Sequence, residues 1–316
     1  MNALGIDLGG TKLSLAVFTE PGDVVFKQTI ALEKRKGLQV GDLITHEIEK
    51  ITRAHRNIRS IGIAVPGIYR QKTGTVWAPN IEGWDDYPLL QQIENITSVP
   101  VTIHSDRAAY VLGERWMGNA KGCENAIYLA VGTGIGAGIL VDGRILRGQH
   151  DIAGAIGWMA LREPFDEKYV SCGCFEYYAS GEGIVKLAKE TLATISDYKG
   201  ILRQKQPGEL TARDLFTAYD QNDPIAKDVF QICIRFWGMA VANLVSLFNP
   251  EKILLGGGIF GPAVKFIPEI IEEAAKWAQP ISMKQVSIEA SSLGSDAGIY
   301  GAGWLAWQHA LRNADR

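Results

Sequence analysis

The sequence predicts an α/β protein of two related lobes, each a mixed sheet flanked by helices, with a cleft between them. Three observations carry this. Each half of the chain opens with an apolar strand, a glycine-rich turn and a second strand: residues 4–8, Gly9-Gly10 and 13–18 in the first half, and residues 126–131, GTGIGAG and 138–141 in the second. Behind each opening, runs of strand length alternate with segments of helical period. The chain has 316 residues, long for a single core, and no low-complexity linker interrupts it.

In the first lobe, the strands 4–8 and 13–18 are followed by a Pro21-Gly22 turn and a third strand, 24–31. Leu43, Ile44, Ile48 and Ile51 recur at helical spacing, which predicts a helix over 41–55. A strand over 59–65 ends at Pro66-Gly67. A short helix over 88–96, a strand over 101–104 and a helix over 105–117 follow, the last with Ser105 or Asp106 at its N-terminal end. The boundary falls within Gly118–Gly122, giving lobes of 1–118 and 119–296. In the second lobe, Asp142-Gly143 marks a hairpin before the strand 144–146. A long helix over 224–248 has Asp223 at its cap, Pro224 in its first turn and Pro250 just beyond its end. The strand 253–255 runs into Gly256-Gly257-Gly258. A last helix spans 296–311, and the terminal segment 297–316 is expected to pack back on the first lobe.

Composition narrows the function. Hydrophobic residues make up 47% and charged residues 21%, a globular balance, and the formal net charge is −3. The densest basic patch, Glu33-Lys34-Arg35-Lys36, is short and follows an acid, so no nucleic-acid partner is expected. No uncharged apolar run of roughly 18 residues or more occurs, and the opening lacks the charged and apolar regions of a signal peptide. Of the four cysteines, only Cys172 and Cys174 are close together, which is no disulfide framework. The expectation is a cytoplasmic protein with reduced thiols and no membrane partner.

Three loops carry candidate chemistry: Asp7 to Lys12 (DLGGTK), Gly132 to Gly138 (GTGIGAG) and Gly256 to Ile259 (GGGI). Glycine lets backbone N–H groups approach phosphate oxygens without a Cβ in the way. Thr11 and Lys12 add a hydroxyl and an ammonium to such an anion site, and Asp7 is suited to holding Mg²⁺ through water. Each loop alone could be an ordinary tight turn, but two of them close hairpins at the starts of the two halves. No Walker A pattern is present. Gly132, Gly134 and Ala137 match the Rossmann spacing, with Asp151 near the expected distance for the ribose acid. However, GILVDGRIL follows as a strand hairpin, so the helix that would bind pyrophosphate is missing.

The stretches LGIDLGGTKLSLAVF, IGIAVPG, APNIEGW, SDRAAYVLGE, VGTGIGAGILVDGRILRG, AGAIGW, GCFEYYASG and ILLGGGIFG span nearly the whole chain. In this order they resemble the ROK sugar kinases of the actin-like ATPase superfamily. The resemblance implies two ribonuclease-H-like lobes, use of ATP and Mg²⁺, a small-molecule sugar as partner and a homodimer. It implies that Gly9, Gly10, Thr11, Lys12, Gly132, Thr133 and Gly134 grip the phosphates, with Gly257 and Gly258 near the adenosine. Asp106 takes the place of the general base, which orients and deprotonates the attacking hydroxyl, most often at C6. An acid at a helix start is also a common cap. Gly67, Asn80 and Glu176 take the places of sugar-binding residues, while Trp84 is expected to pack.

The chain departs from the family in three places. N-D-x-N has become Ser105-Asp106-Arg107-Ala108, so an amide ligand is now Ser105. E-x-G-H has become Ala155-Ile156-Gly157-Trp158, which removes two polar groups near the anomeric end of the sugar. The zinc motif C-x-C-G-x-x-G-C is reduced to Cys172-Gly173-Cys174, and no structural zinc is expected. Two readings of Trp158, which do not exclude each other, are that it fills the space left by His and metal and that it stacks on a substituted sugar for which Ala155 makes room. The lost polar groups also leave open a second reading, a weakly active or inactive sugar-binding regulator without a DNA-binding domain.

Overall fold

In the computed structural model, which describes residues 1–19, 22–206 and 208–314, the strands β1 (Asn2–Leu8), β2 (Lys12–Thr19) and β3 (Val24–Ala31) form an antiparallel meander. Pro21 of the predicted turn and residues 315 and 316 of the predicted terminal segment lie outside the described residues. Helix α1 (Leu38–Ala54) buries Val40, Ile44, Ile48 and Ile51 on one stripe. It begins before the predicted residue 41. Gly41 is an interior helical residue here, and the position takes glycine because a Cβ there would lie 2.0 Å from the Tyr87 hydroxyl.

Strand β4 (Ile58–Val65) pairs parallel with β1. A small hairpin, β5 (Ile68–Arg70) and β6 (Thr75–Trp77), precedes α2 (Leu89–Glu94). Strand β7 (Val101–Ser105) pairs parallel with β4 and leads directly into α3 (Asp106–Met117). The sheet order is β3-β2-β1-β4-β7.

The second half repeats this order. Strands β8 (Ala126–Val131) and β9 (Ile135–Val141) form an antiparallel hairpin, flanked by the short β10 (Arg144–Ile145). Helices α4 (Cys174–Ala179), α5 (Gly181–Thr194), α6 (Ala212–Asp220) and α7 (Pro224–Phe248) follow. After them come β11 (Lys252–Gly256), α8 (Ile267–Ala275), α9 (Pro280–Met283) and β12 (Ser287–Ala290). The sheet runs β10-β9-β8-β11-β12, with β8, β11 and β12 parallel. The strand β9 that follows the GTG turn stands where a dinucleotide fold would need a helix.

Helix α7 matches its predicted bounds, and the Asp223 carboxylate caps it by accepting the Ala226 N–H at 3.1 Å. Among the described residues it is the one helix long and apolar enough to cross a membrane by length and composition. Its Val229, Phe230, Cys233 and Trp237 are buried in the core with Phe175, Phe260 and Phe266.

The last helix, α10 (Ala297–Ala314), packs on α3, β1 and β4. The contact is backbone to backbone: a Cβ on Gly301 would lie 1.9 Å from the Ala109 carbonyl, and one on Gly62 would lie 2.0 Å from the Ala302 carbonyl. Trp307 is buried with Ala3, Ala16 and Phe18, a core role.

Contacts group the chain into two compact units. One comprises Met1–Gly122, Ile145–Ala153 and Ser295–Arg316, and the other Cys123–Arg144 and Gly154–Gly294.

Candidate active site

In the first unit, β1, β4 and β7 run parallel, and their carboxyl ends bring Asp7, Gly67 and Asp106 to one edge of the sheet. Ser105 occupies the cap position of α3, with extended backbone and no side-chain capping bond. Asp106 is therefore the first helical residue rather than the cap. Its carboxylate accepts the Arg107 N–H at 2.7 Å and the Tyr110 hydroxyl at 3.3 Å. Burial pushes the Asp106 carboxyl above its ordinary range, while the Arg107 charge and these two hydrogen bonds pull it back.

Asp7 sits under the first turn of α10, where a Cβ on Gly298 would lie 2.5 Å from its carboxylate. Burial first, and then the negative charge of Asp106, push Asp7 up to about 7. Gly67 adopts φ of +101°, and a Cβ there would lie 2.2 Å from the Trp77 carbonyl. The Arg107 guanidinium donates to the Gly67 carbonyl at 3.3 Å. In the DLGGTK turn, the Gly9 N–H bonds the Lys12 carbonyl at 2.9 Å, leaving Gly10, Thr11 and Lys12 exposed. Asn80 lies against Gly10, with its Cβ 3.1 Å from where a Gly10 Cβ would be. Trp84 is buried, stacks on Tyr87 and donates to the Gly37 carbonyl at 3.0 Å.

The segment Ile145–Ala153 brings Arg147 onto His104 and Gln71, and Asp151 accepts the Gln71 N–H at 3.1 Å. Burial and the Arg147 charge push His104 down to about 3, so it is neutral. Asp151, the acid that fits the Rossmann spacing, thus has a structural partner. The sequence held no signal for this network.

In the second unit, Gly132, Thr133 and Gly258 line a cavity of about 510 Å³. Gly181, Glu182 and Lys189 share its wall, and the sequence analysis missed them. Gly181 begins α5, and its N–H bonds the Gly132 carbonyl at 2.8 Å. The signal was present in Ser180-Gly181, since Ser180 caps α5 by accepting the Gly183 N–H at 3.0 Å. A helix start of this kind, beside a glycine turn, favours anions. Gly257 adopts φ of +86°, with its Cβ position 2.4 Å from the Val131 carbonyl.

Glu176 reaches the same glycine turn from α4. Its carboxylate accepts the Ile135 N–H at 2.6 Å and closes over Gly134 and Gly157. Burial raises its carboxyl above the usual range despite that bond. Ala155 caps the short turn Ile156–Trp158. Trp158 is 57% exposed, so it does not fill an interior space.

These two sheets of like order define a member of the actin-like ATPase fold. The chain superposes on a ROK hexokinase from Thermus thermophilus with a TM-score of 0.84 and 28% identity, over 99% of this chain and 100% of that one. It superposes on a ROK family glucokinase from Streptomyces griseus, solved with glucose and AMPPNP, with a TM-score of 0.79 and 28% identity, over 98% and 100%. A glucokinase from Halalkalibacterium halodurans is 35% identical over 317 residues, covering 96% of this chain and 94% of the relative. The ROK family model matches residues 3–309, and the chain belongs to the ROK family.

Proposed function

We propose that this protein is an ATP-dependent sugar kinase that transfers the γ-phosphoryl group to a sugar hydroxyl, that of C6 on a hexose or modified hexose. The observation that carries the reading is Asp106. It is a carboxylate at the first residue of α3, beside the left-handed Gly67 turn, oriented by Arg107 N–H and the Tyr110 hydroxyl. Phosphoryl transfer asks for positioning and for a carboxylate that takes the hydroxyl proton. Asp106 does so in its ionised form. In the first unit Gly67, Asn80 and Ser105 are the sugar-binding candidates, and in the second Ala155, Trp158 and Glu176 are.

Gly132, Thr133 and Gly134, with Gly257 and Gly258, bind the nucleotide at the 510 Å³ cavity. In the first unit, the exposed Gly9-Gly10-Thr11-Lys12 turn offers donors suited to phosphate oxygens. Asp7 fits Mg²⁺ held largely by water, because it is an oxygen donor beside a second carboxylate whose repulsion a cation relieves. Bound beside Asp7, Mg²⁺ would supply charge neutralisation for the phosphates.

ADP release with Mg²⁺-ATP tests the proposal across glucose, mannose, fructose, N-acetylated hexosamines, methyl glycosides and disaccharides. Turnover on one sugar supports the kinase. Sugar binding without turnover on any of them supports the regulatory reading, which the replacements at Ala155 and Trp158 favour.

A further inference from the structure

The segment between Trp158 and Cys174 holds what remains of the family's zinc motif, and its residues do not fit that metal. Trp158 stands in the place of the histidine and points largely into solvent. Cys172 Sγ contacts the Gly173 carbonyl at 3.8 Å, and Cys174 is buried in the core. Among the described residues, no three His, Cys, Asp or Glu side chains gather as metal ligands. A tetrahedral site needs four such donors.

The segment is nevertheless held closely. Lys168 Nζ lies 5.7, 4.9 and 5.4 Å from the ring centroids of Tyr169, Tyr177 and Tyr178. These rings pack edge to face, and the Tyr169 and Tyr178 hydroxyls share a 2.8 Å hydrogen bond. Tyr178 also stacks on the core residue Phe236 at 4.6 Å. Three electron-rich faces around one ammonium form a cation–π cage, and Asp166 completes it with an ion pair at 3.4 Å.

The cage connects to the candidate site by short steps. The Gly173 N–H donates to the Tyr169 carbonyl at 2.7 Å, and the Tyr177 N–H donates to the Gly173 carbonyl at 3.0 Å. Gly173, at φ of +87°, lies against the Gly157–Trp158 backbone, and a Cβ there would sit 2.4 Å from the Gly157 carbonyl and 2.6 Å from Trp158 Cα. Tyr169 and Tyr177, which clasp Lys168, are thus the residues that fix Gly173.

We infer that Lys168, seated on the Tyr169, Tyr177 and Tyr178 rings, is a positioning residue that holds the Gly173 turn against Gly157 and Trp158. The effect on catalysis rests on the kinase reading above, in which the Ala155–Trp158 segment contacts the acceptor.

The test compares Lys168→Met, which keeps bulk without charge, with Lys168→Arg, which keeps the cation. In Lys168→Met the acceptor KM should rise roughly five- to thirtyfold, the binding ratio that a partly desolvated cation–π contact represents. Its kcat and KM for ATP should stay near wild type, and Lys168→Arg should restore the acceptor KM. An unchanged acceptor KM in Lys168→Met, or no rescue by arginine, overturns the inference.

Hydrogen exchange at the Trp158 and Gly173 amides reads the same positioning without turnover. Faster exchange in Lys168→Met but not in Lys168→Arg supports it, and equal protection in all three proteins overturns it. If wild type phosphorylates no sugar, the kinase reading fails while the exchange result still decides the role of Lys168.

Discussion

The Glu176 carboxylate accepts the Ile135 N–H at 2.6 Å, so a residue proposed to bind the sugar is also a structural support of the glycine turn. Glu176→Ala leaves the N–H of buried Ile135 without this acceptor, which costs about 1–3 kcal/mol. The variant should melt at a lower temperature and bind ATP more weakly, while Glu176→Gln, which keeps an acceptor, should lie closer to wild type. If Glu176 acts solely on the sugar, thermal melts of all three proteins will coincide and the acceptor KM alone will move.

Asp7 gives the protein a pH dependence of definite sign. Its carboxyl moves from 3.8 to about 7 on folding, through burial first and the charge of Asp106 second. Across that window the folded state binds more protons than the unfolded one, so this group makes stability fall as pH rises from 3.8 towards 7. Asp7→Asn should flatten the window and melt higher than wild type at pH 8 without nucleotide. Melts at pH 5 and pH 8 that shift in parallel for both proteins would show that Asp7 is not the group responsible.

Gly301 lets α10 touch α3, the helix whose first residue is Asp106. Gly301→Ala places a methyl group 1.9 Å from the Ala109 carbonyl if nothing moves. Because backbone must shift, the cost should reach about 1–3 kcal/mol or more. Denaturant unfolding should show the loss, with a fall in turnover as α3 is displaced.

Trp158 makes the opposite prediction. With the residue 57% exposed, Trp158→Ala should change stability by no more than about 0.5 kcal/mol. Its effect should appear in the acceptor KM, most strongly for sugars with substituents at C1 or C2. A large drop in melting temperature would instead assign Trp158 to packing.

The parts of this fold that were legible in the sequence are those governed by local chemistry. The duplicated hairpins follow from strand–glycine–strand patterns, and α7 follows from Asp223 at its cap, Pro224 in its first turn and Pro250 just beyond its end. The strand β9 after GTG was readable because Asp142-Gly143 closes it as a hairpin. Helix α4, six residues long, is too short to show a period, whereas α5 and α6 and the cavity wall at Gly181 and Lys189 were missed although Ser180 and Thr211 stand as N-caps in the sequence. The Arg147–His104 contact and the Lys168 cage join residues by tertiary packing, which spacing does not reveal. Trp158 shows the limit most clearly, because composition alone could not say whether its indole faces the core or solvent.

The most direct test is ADP release by wild type and Asp106→Asn on the acceptor the wild type prefers, with sugar affinity and melting temperature measured alongside. The account predicts folding and affinity close to wild type and turnover lower by roughly 10²–10⁴, the loss expected for a general base. Turnover in Asp106→Asn near that of wild type would contradict it.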